Sequence, residues 1–278
     1  MIKLLCTVRG CSAPLRPAET HFVCDAGHSF DRARGGYVNL LQPQDSRARA
    51  PGDPPAVVAA RRRLLDAGAG AALLEALAGT IAALDLRPGA AAADIGAGEG
   101  FFLGSLAARF GLDAVGVDIS AASADLAARR YPAVLWLVAN ADRGLPFAEA
   151  SVDLAVSIAA RRNPAECARV LAPGGRLLVA VPAADDLAEL REAALGAAAR
   201  EDRAAAVIAE HAGLFAVAAR SVARDRRRLS GGLLDDLLLT TYRGGRAGRR
   251  ERAAGLDGLE VTLSHDIVVL VKETEASG

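Results

Sequence analysis

The sequence predicts an α/β protein with a doubly wound, mostly parallel sheet and a small metal-binding module in front of it. Three observations predict this. The stretch Asp94-Ile95-Gly96-Ala97-Gly98-Glu99-Gly100 follows the apolar run Ala90 to Ala93 and precedes an amphipathic segment opening at Phe101, so it reads as a strand ending in a glycine-rich turn. Strand-like and helix-like segments then alternate with short connections to Val181, the pattern of a parallel sheet with helices on its faces. Three of the four cysteines, Cys6, Cys11 and Cys24, crowd into the first 24 residues, with His28 close behind.

The elements follow in order. Residues 1–43 form the cysteine-bearing module, too small to hold a core without a metal. Residues 44–84 comprise a linker, rich in Pro, Asp, Ser and Arg between Pro43 and Pro55, and two helices over Ala56 to Leu84 broken at Gly68 and Gly70. Residues 85–278 form the main domain. Its first strand is Ala90 to Ile95, followed by a helix over Phe101 to Phe110. The second strand, Ala114 to Asp118, leads to a helix over Ala121 to Arg130 capped by Ser120. Strands at Val134 to Val138 and Val152 to Ser157 come next. A helix over Pro164 to Leu171 starts with proline in its first turn, and Pro173-Gly174-Gly175 separates it from a strand over Arg176 to Val181. Ala188 to Ala212 reads as helix, Leu214 to Val222 as strand, Leu233 to Leu239 as helix and Val261 to Val271 as a long last strand.

With 278 residues the chain can bury one large core plus an accessory module. Basic and acidic residues balance at 33 each, so net charge names no partner. Only Lys3 and Lys272 are lysines, and an arginine-rich, alanine-rich composition makes arginine counts weak evidence for nucleic acid. No apolar run is long enough for a membrane span, and the N-terminus lacks a signal-peptide pattern, so a cytoplasmic protein is expected.

The chemistry-bearing residues fall into two groups. The spacing C-x4-C-x12-C-x3-H of Cys6, Cys11, Cys24 and His28 suits Zn²⁺ held on two tight turns, because thiolates and imidazole fill a tetrahedral shell. His21 competes with His28 as the fourth ligand, and Cys167 reads as a core residue. In the main domain, glycines at alternate positions let backbone N–H groups approach a ligand. Asp118 lies about twenty residues on, where α/β nucleotide sites place a carboxylate on ribose hydroxyls. Asp94 before the glycines, the G-x-G-x-G spacing and the turn Ala139-Asn140-Ala141-Asp142 favour S-adenosylmethionine over NAD.

Taken together, the chain resembles the bacterial large-subunit ribosomal RNA guanine-N1 methyltransferases, a family that includes macrolide-resistance enzymes. The resemblance rests on the four metal ligands, His28-Ser29-Phe30-Asp31, Gly36-Tyr37-Val38-Asn39-Leu40-Leu41 and Ala60-Arg61-Arg62. It extends through Leu65-Asp66-Ala67-Gly68, the glycine turn, Leu145-Pro146-Phe147, Asn163-Pro164-Ala165-Glu166 and Arg169 to Gly175. It implies a Rossmann-like class I methyltransferase sheet and zinc on Cys6, Cys11, Cys24 and His28. It places the methyl donor against Asp94, Gly96, Gly98, Phe102, Leu103, Asp118, Asn140, Ala141 and Asp186. Ribosomal RNA is the implied partner, without a membrane and with a homodimer as one compatible assembly.

Departures bear on the acceptor. The family spaces its first two cysteines by two residues, where this chain has four. The tyrosine that helps cover the donor is here Gly70, and a histidine before Leu187 is here Asp186. The loop after the fourth strand reads Ala159-Ala160-Arg161-Arg162-Asn163, where the family has phenylalanine–alanine–proline–arginine–asparagine. Methylation of guanine N1 requires removal of its proton, and Asp142 and Asp186 are the carboxylates available for it. No residue is assigned as catalytic from sequence. Arg32, Arg34, Arg47, Arg49, Arg61 and Arg62 could neutralise RNA phosphates, and Phe30 and Tyr37 could stack on bases. Two other readings stand beside an rRNA base methyltransferase: a methyltransferase for a small natural product, and a zinc-dependent RNA-binding protein whose methyltransferase fold has decayed.

Overall fold

The computed structural model describes residues 2–45, 52–195, 202–241 and 258–273. Three short antiparallel strands open the chain: β1 (Leu15–Pro17), β2 (His21–Cys24) and β3 (Ser29–Asp31). After β4 (Val38–Asn39) and a single 3₁₀ turn come helices α1 (Pro55–Asp66) and α2 (Ala71–Ala82). The alternating region supplies β5 (Ala91–Ile95), α3 (Phe101–Phe110), β6 (Asp113–Asp118), α4 (Ala121–Arg130) and β7 (Leu135–Val138). It continues with β8 (Val152–Ile158), α5 (Pro164–Val170) and β9 (Leu171–Pro182). The chain finishes with α6 (Ala188–Leu195), α7 (Arg203–His211), β10 (Phe215–Leu229), α8 (Gly231–Thr241) and β11 (Leu259–Lys272).

Eight strands form one sheet in the order β10-β11-β9-β8-β5-β6-β7-β4. The pairs from β9 to β4 are parallel, and β10 and β11 are antiparallel additions at one edge. This is the doubly wound, mostly parallel architecture of class I methyltransferases. Chain order reverses direction beside β5, so the crevice between β5 and β8 opens at their carboxyl ends.

Local chemistry explains the sharpest boundaries. Ser120 caps α4 by accepting a hydrogen bond from the Ser123 amide, and Asn163 caps α5 by accepting from Ala165 and Glu166. Gly111, at φ +62°, closes α3 in the left-handed conformation. The expected strand over 176–181 starts earlier, at Leu171, and runs through Pro173-Gly174-Gly175. The helix expected over 188–212 is described as α6 and α7, with residues 196–201 outside the described set.

One apolar core lies on each face of the sheet. The face carrying α2, α3 and α4 buries Leu77, Leu103, Leu106 and Trp136. On the other face Ile95, Val117, Leu137 and Phe147 pack directly with Ile2, Leu4, Phe22, Phe30, Val38 and Leu40. The cysteine-bearing module therefore shares a core with the sheet. It also donates β4, which pairs Val38 with Leu137 and Asn39 with Val138, and the Leu5 amide bonds to the Pro146 carbonyl. Phe30 is buried in that core, which withdraws its ring from any base, and Tyr37 is half-buried against the opposite one. Among the described residues no single helix is long and apolar enough to cross a membrane.

Candidate active site and metal centre

Two turns build the metal centre. The Cys11 amide bonds to the Val8 carbonyl, with Gly10 and Ser12 both at positive φ, and this curls the four-residue spacer between Cys6 and Cys11. The second turn is closed by the Gly27 amide on the Cys24 carbonyl and the Cys24 amide on the His28 carbonyl. The four ligand atoms all lie within 4.8 Å of one another. His28 Nδ1 is 3.4 Å from Cys6 Sγ and 3.5 Å from Cys24 Sγ, and Cys11 Sγ is 3.8 Å from Cys24 Sγ. With Zn–S near 2.3 Å and Zn–N near 2.0–2.1 Å, a tetrahedral site has edges of about 3.5–3.8 Å, so the donor set fits zinc. The longer first spacer is absorbed by the turn that the Cys11 amide closes on Val8, with Gly10 left-handed within it. His21 stands on β2 outside the cluster, and Cys167 is fully buried under α5.

A crevice of about 560 Å³ opens at the carboxyl ends of β5, β6 and β8. Asp94, Gly96, Gly98, Phe102, Asp118, Asn140, Ala141 and Asp186 all line it. Leu103 does not. It is 1% exposed in the core beneath α3, because consecutive residues of a helix face different ways and Phe102 takes the outward position.

The three glycines of the turn serve separate ends. A side chain at Gly98 would meet only Arg61 Nη1, at 3.7 Å, so this position keeps the backbone open to a ligand. A Cβ at Gly96 would strike Ala160 at 2.3 Å. One at Gly100 would strike the Trp136 ring at 2.5 Å, and Gly100 sits at φ +82°. Sequence reading missed Trp136, whose ring fills the space under the turn against Gly100 and Gly116. It was readable only as an apolar strand residue.

Charge is concentrated at the donor end. Asp118 accepts from the Gly98 and Ser120 amides at 2.9 and 2.8 Å, which fixes the turn against β6. Asp94 and Glu99 lie nearby and are 2% and 3% exposed. Burial, reinforced by the charges of Asp118 and Glu99, pushes the Asp94 carboxyl up to about 8, and burial also raises Glu99 and Asp118. One Asp94 oxygen has no hydrogen-bond partner. A buried unpartnered carboxyl among carboxylates is complementary to a cation, and S-adenosylmethionine carries a sulfonium and an ammonium.

Beside the donor end, Arg61 lines the crevice paired with Asp53 at 2.6 Å, and the Ser120 hydroxyl donates to the Asp53 carbonyl. Arg62 is withdrawn from any phosphate. It is 7% exposed, donates to the Asp66 carboxylate and the Tyr131 hydroxyl, and lies over the Phe101 ring. Arg32 donates to the Gly36 carbonyl, Arg34 is exposed, and Arg47 and Arg49 lie outside the described residues. The space at Gly70 is occupied: an added Cβ there would meet Leu65, Phe101 and Phe102 at 2.6, 3.1 and 3.3 Å.

At the other end, Arg161 and Asp142 face each other across the rim at 3.4 Å. Asp186 and His265 line the wall beyond, with Leu187, Leu237, Thr240 and Leu263. His265 escaped sequence reading because it stands in the apolar run of β11, where a lone histidine carries no signal. Non-glycine residues at positive φ flank this end on both sides, Ala159 and Leu187. Such backbone is held only where its surroundings over-determine it.

The fold and crevice define the class: a class I methyltransferase fold with an integral N-terminal metal module. Residues 93–179 match the methyltransferase domain family, and residues 5–49 match the zinc-ribbon family described as RlmA, N-terminal. The chain is 42% identical over 190 residues to a 23S rRNA (guanine(748)-N(1))-methyltransferase of Streptomyces fradiae, covering 66% of this chain and 65% of that protein. It is 38% identical over 204 residues to a protein of Micromonospora griseorubida named as a 23S rRNA (guanine-N(1)-)-methyltransferase, covering 65% and 66%. The matches thus span slightly under two thirds of these relatives' lengths. Among solved structures, a chain from the complex between the Haloferax volcanii Trm112 methyltransferase activator and a methyltransferase aligns with TM-score 0.53 at 21% identity. That alignment covers 81% of this chain and 100% of that one, and it shows the fold. The chain joins an RlmA-type zinc ribbon to a methyltransferase domain and is similar over about two thirds of its length to proteins named as 23S rRNA guanine-N1 methyltransferases.

Proposed function

We propose that the protein is an S-adenosylmethionine-dependent methyltransferase acting on a guanine N1 of large-subunit ribosomal RNA, in the cytoplasm. The observation that carries this reading is the way the zinc module is built into the catalytic sheet. β4 pairs with β7, and the chain after β7 runs straight into Asn140, Ala141 and Asp142 on the crevice rim. A rigid module beside the mouth of a donor crevice is suited to holding a structured RNA while one unstacked base enters. Zinc supplies rigidity there, since four protein ligands leave no open position for chemistry. The donor, when bound, supplies an electrophilic methyl group. The chain's own residues orient the donor and the base, and they exclude water. Mass spectrometry of 23S rRNA treated with enzyme and donor should show one new N1-methylguanine. Unmodified RNA alongside a methylated small metabolite would overturn the reading. The homodimer compatible with the family resemblance is tested by light scattering.

The donor placement predicts two binding results. In this reading Asp118 meets the ribose, Asn140 and Ala141 flank the adenine, and Asp94 faces the ammonium end. Asp118→Ala should weaken donor binding by about 1.5–3 kcal/mol, the range for a hydrogen bond to a charged group. Equal affinity of wild type and variant by calorimetry would refute this placement.

Asp94 predicts proton release. Its folded-state value of about 8 lies above the ordinary carboxyl range, so the folded chain without donor holds this proton at pH 7. That proton's contribution to stability is greatest at low pH and is lost as pH rises towards 8. A cationic ligand favours the ionised form, so binding at pH 7 should expel up to one proton. Calorimetry in buffers of different ionisation enthalpy should show this release, and Asp94→Asn should abolish it. Binding heats that do not change with buffer would exclude Asp94 as the partner of the cation.

A further inference from the structure

The far wall of the crevice holds Asp186, which the family resemblance sets against the donor but which stands apart from the carboxylates of the glycine turn, beside His265. Asp186 is 8% exposed and is held by the Ser264 amide, which donates to Asp186 Oδ1 at 2.9 Å. The surrounding loop is clamped to β11: the Ala183 amide bonds to the Ser264 carbonyl, and the Leu187 amide bonds to the Thr262 carbonyl. The Ser264 hydroxyl donates to Asp185, which is itself paired with Arg224. His265, the residue after Ser264, points to the same crevice, while its neighbour Asp266 pairs with Arg220. Along the carboxyl edge of the sheet these groups stand at β9 and β11. Those strands are two and three removed from β5 and its glycine turn, or roughly 10 and 14 Å at 4.8 Å per strand. The reacting base must therefore sit between them and the donor, above β8.

Resting on the guanine-N1 reading above, we propose that Asp186 and His265 recognise the Watson–Crick edge of the acceptor guanine, with Asp186 accepting the N1 proton. That edge presents two adjacent donors, N1–H and the 2-amino group, beside one acceptor, O6. A carboxylate matches the two donors and a neutral imidazole N–H matches O6. Adenine offers N1 as an acceptor and a 6-amino donor, so it meets the pair with reversed polarity. In the step itself the S–CH₃ bond of the sulfonium breaks as the N1–CH₃ bond forms. The electron pair of the N1–H bond serves that new bond, the proton passes to the Asp186 carboxylate, and the sulfonium leaves as a neutral thioether. The positive charge of the donor thus cancels the negative charge of Asp186, which returns its proton to solvent after release.

The electrostatics agree with these roles. Burial pushes Asp186 up to about 6, opposed by the Ser264 amide and by Arg191 and Arg203, with Asp185 adding to the rise. Burial brings His265 down to about 4, partly countered by Asp266. Asp186 is then an ionised acceptor and His265 a neutral donor at pH 7. The other charged groups on the crevice are the donor-end carboxylates with Arg61, and the Asp142–Arg161 pair.

The test uses the full zinc-loaded chain, with wild type, Asp186→Asn and His265→Phe compared under single turnover on 23S rRNA. Asparagine keeps an oxygen for the Ser264 amide, and a circular dichroism spectrum and thermal midpoint matching wild type show that each variant is folded. Wild type should lose rate below pH 6. Asp186→Asn should be 10²- to 10⁴-fold slower, the usual contribution of a positioned base, and should lack that limb. His265→Phe should lose about tenfold in kcat/KM. By fluorescence anisotropy, wild type should bind an RNA hairpin carrying the acceptor guanine about tenfold more tightly than its adenine counterpart, and Asp186→Asn should lose this preference. An Asp186→Asn enzyme within threefold of wild type, with an unchanged pH profile and base preference, would overturn the proposal. Wild type that binds donor but methylates no RNA would overturn the parent reading and this one with it. An active wild type beside an unaffected variant overturns this one alone.

Discussion

Stripping zinc with a chelator should unfold residues 2–45 and lower the thermal stability of the entire chain. Of the module's large buried apolar residues, Ile2, Leu4, Val38 and Leu40 pack on the sheet together with Leu15, Phe22 and Phe30, and these few are far too little apolar area to offset the entropy of ordering some forty residues. Structural zinc supplies on the order of 10–16 kcal/mol in small zinc domains. Its loss should also reach the sheet, because Leu4, Val38 and Leu40 are 4%, 0% and 1% exposed only while the module is folded. Elemental analysis should find about one zinc per chain, absent from Cys24→Ser and retained in Cys167→Ala. Native-state hydrogen exchange should show β4 and β7 losing protection together when the metal leaves. If Cys6→Ala keeps its full zinc content, the four-ligand assignment is wrong. The shared core also rules out deleting residues 1–43 as a clean test of RNA recognition, since the deletion would bare the β7 edge and the side of one apolar core that the module covers.

The second large effect concerns Gly100. Gly100→Ala should destabilise the chain by about 3 kcal/mol, combining a left-handed alanine, roughly 1–2 kcal/mol, with overpacking, roughly 1–3 kcal/mol. The new methyl would lie 2.5 and 2.8 Å from Trp136 ring carbons and 2.9 Å from the Ala127 methyl, and none of these can yield freely in a closed core. Gly98→Ala is the contrast: its surroundings are open to 3.7 Å, so it should cost only the backbone term of roughly 1–2 kcal/mol while obstructing the donor. Denaturant midpoints and donor titrations on the two variants should therefore diverge. Trp136→Phe combined with Gly100→Ala should recover part of the stability. A Gly100→Ala chain within 1 kcal/mol of wild type would mean that the ring moves aside.

How much could be read from sequence follows from where the information is local. The helices over 101–110 and 121–130 were legible to the residue because Gly111 and Ser120 end or begin them by their own chemistry. The crevice was legible because a glycine turn and a carboxylate twenty residues later are written along one chain segment. The short strands β1, β2 and β3 were not, since strands of three or four residues around a metal owe little to propensity. β4 was not legible either, because two residues joining a sheet at Val38 and Asn39 depend on a partner nearly a hundred residues away. Leu103 was placed one step wrong because helix phase, not motif position, decides which side chain faces the crevice. Arg62 was misjudged because an arginine's partner, here Asp66 on the same helix together with Tyr131, appears only in three dimensions.

The pairing of β4 with β7 has a bearing on how the chain comes to be folded at all. The metal module is made before the sheet it joins and can gather its metal at once, since all four ligands fall between Cys6 and His28. Its last strand, however, must wait for Leu137 and Val138 to be made before it has anything to pair with. Closing that separation of about a hundred residues is entropically slow. During synthesis Val38 and Leu40 stay uncovered beside a finished metal knot, and sealing this edge belongs to the late, topology-limited phase of folding.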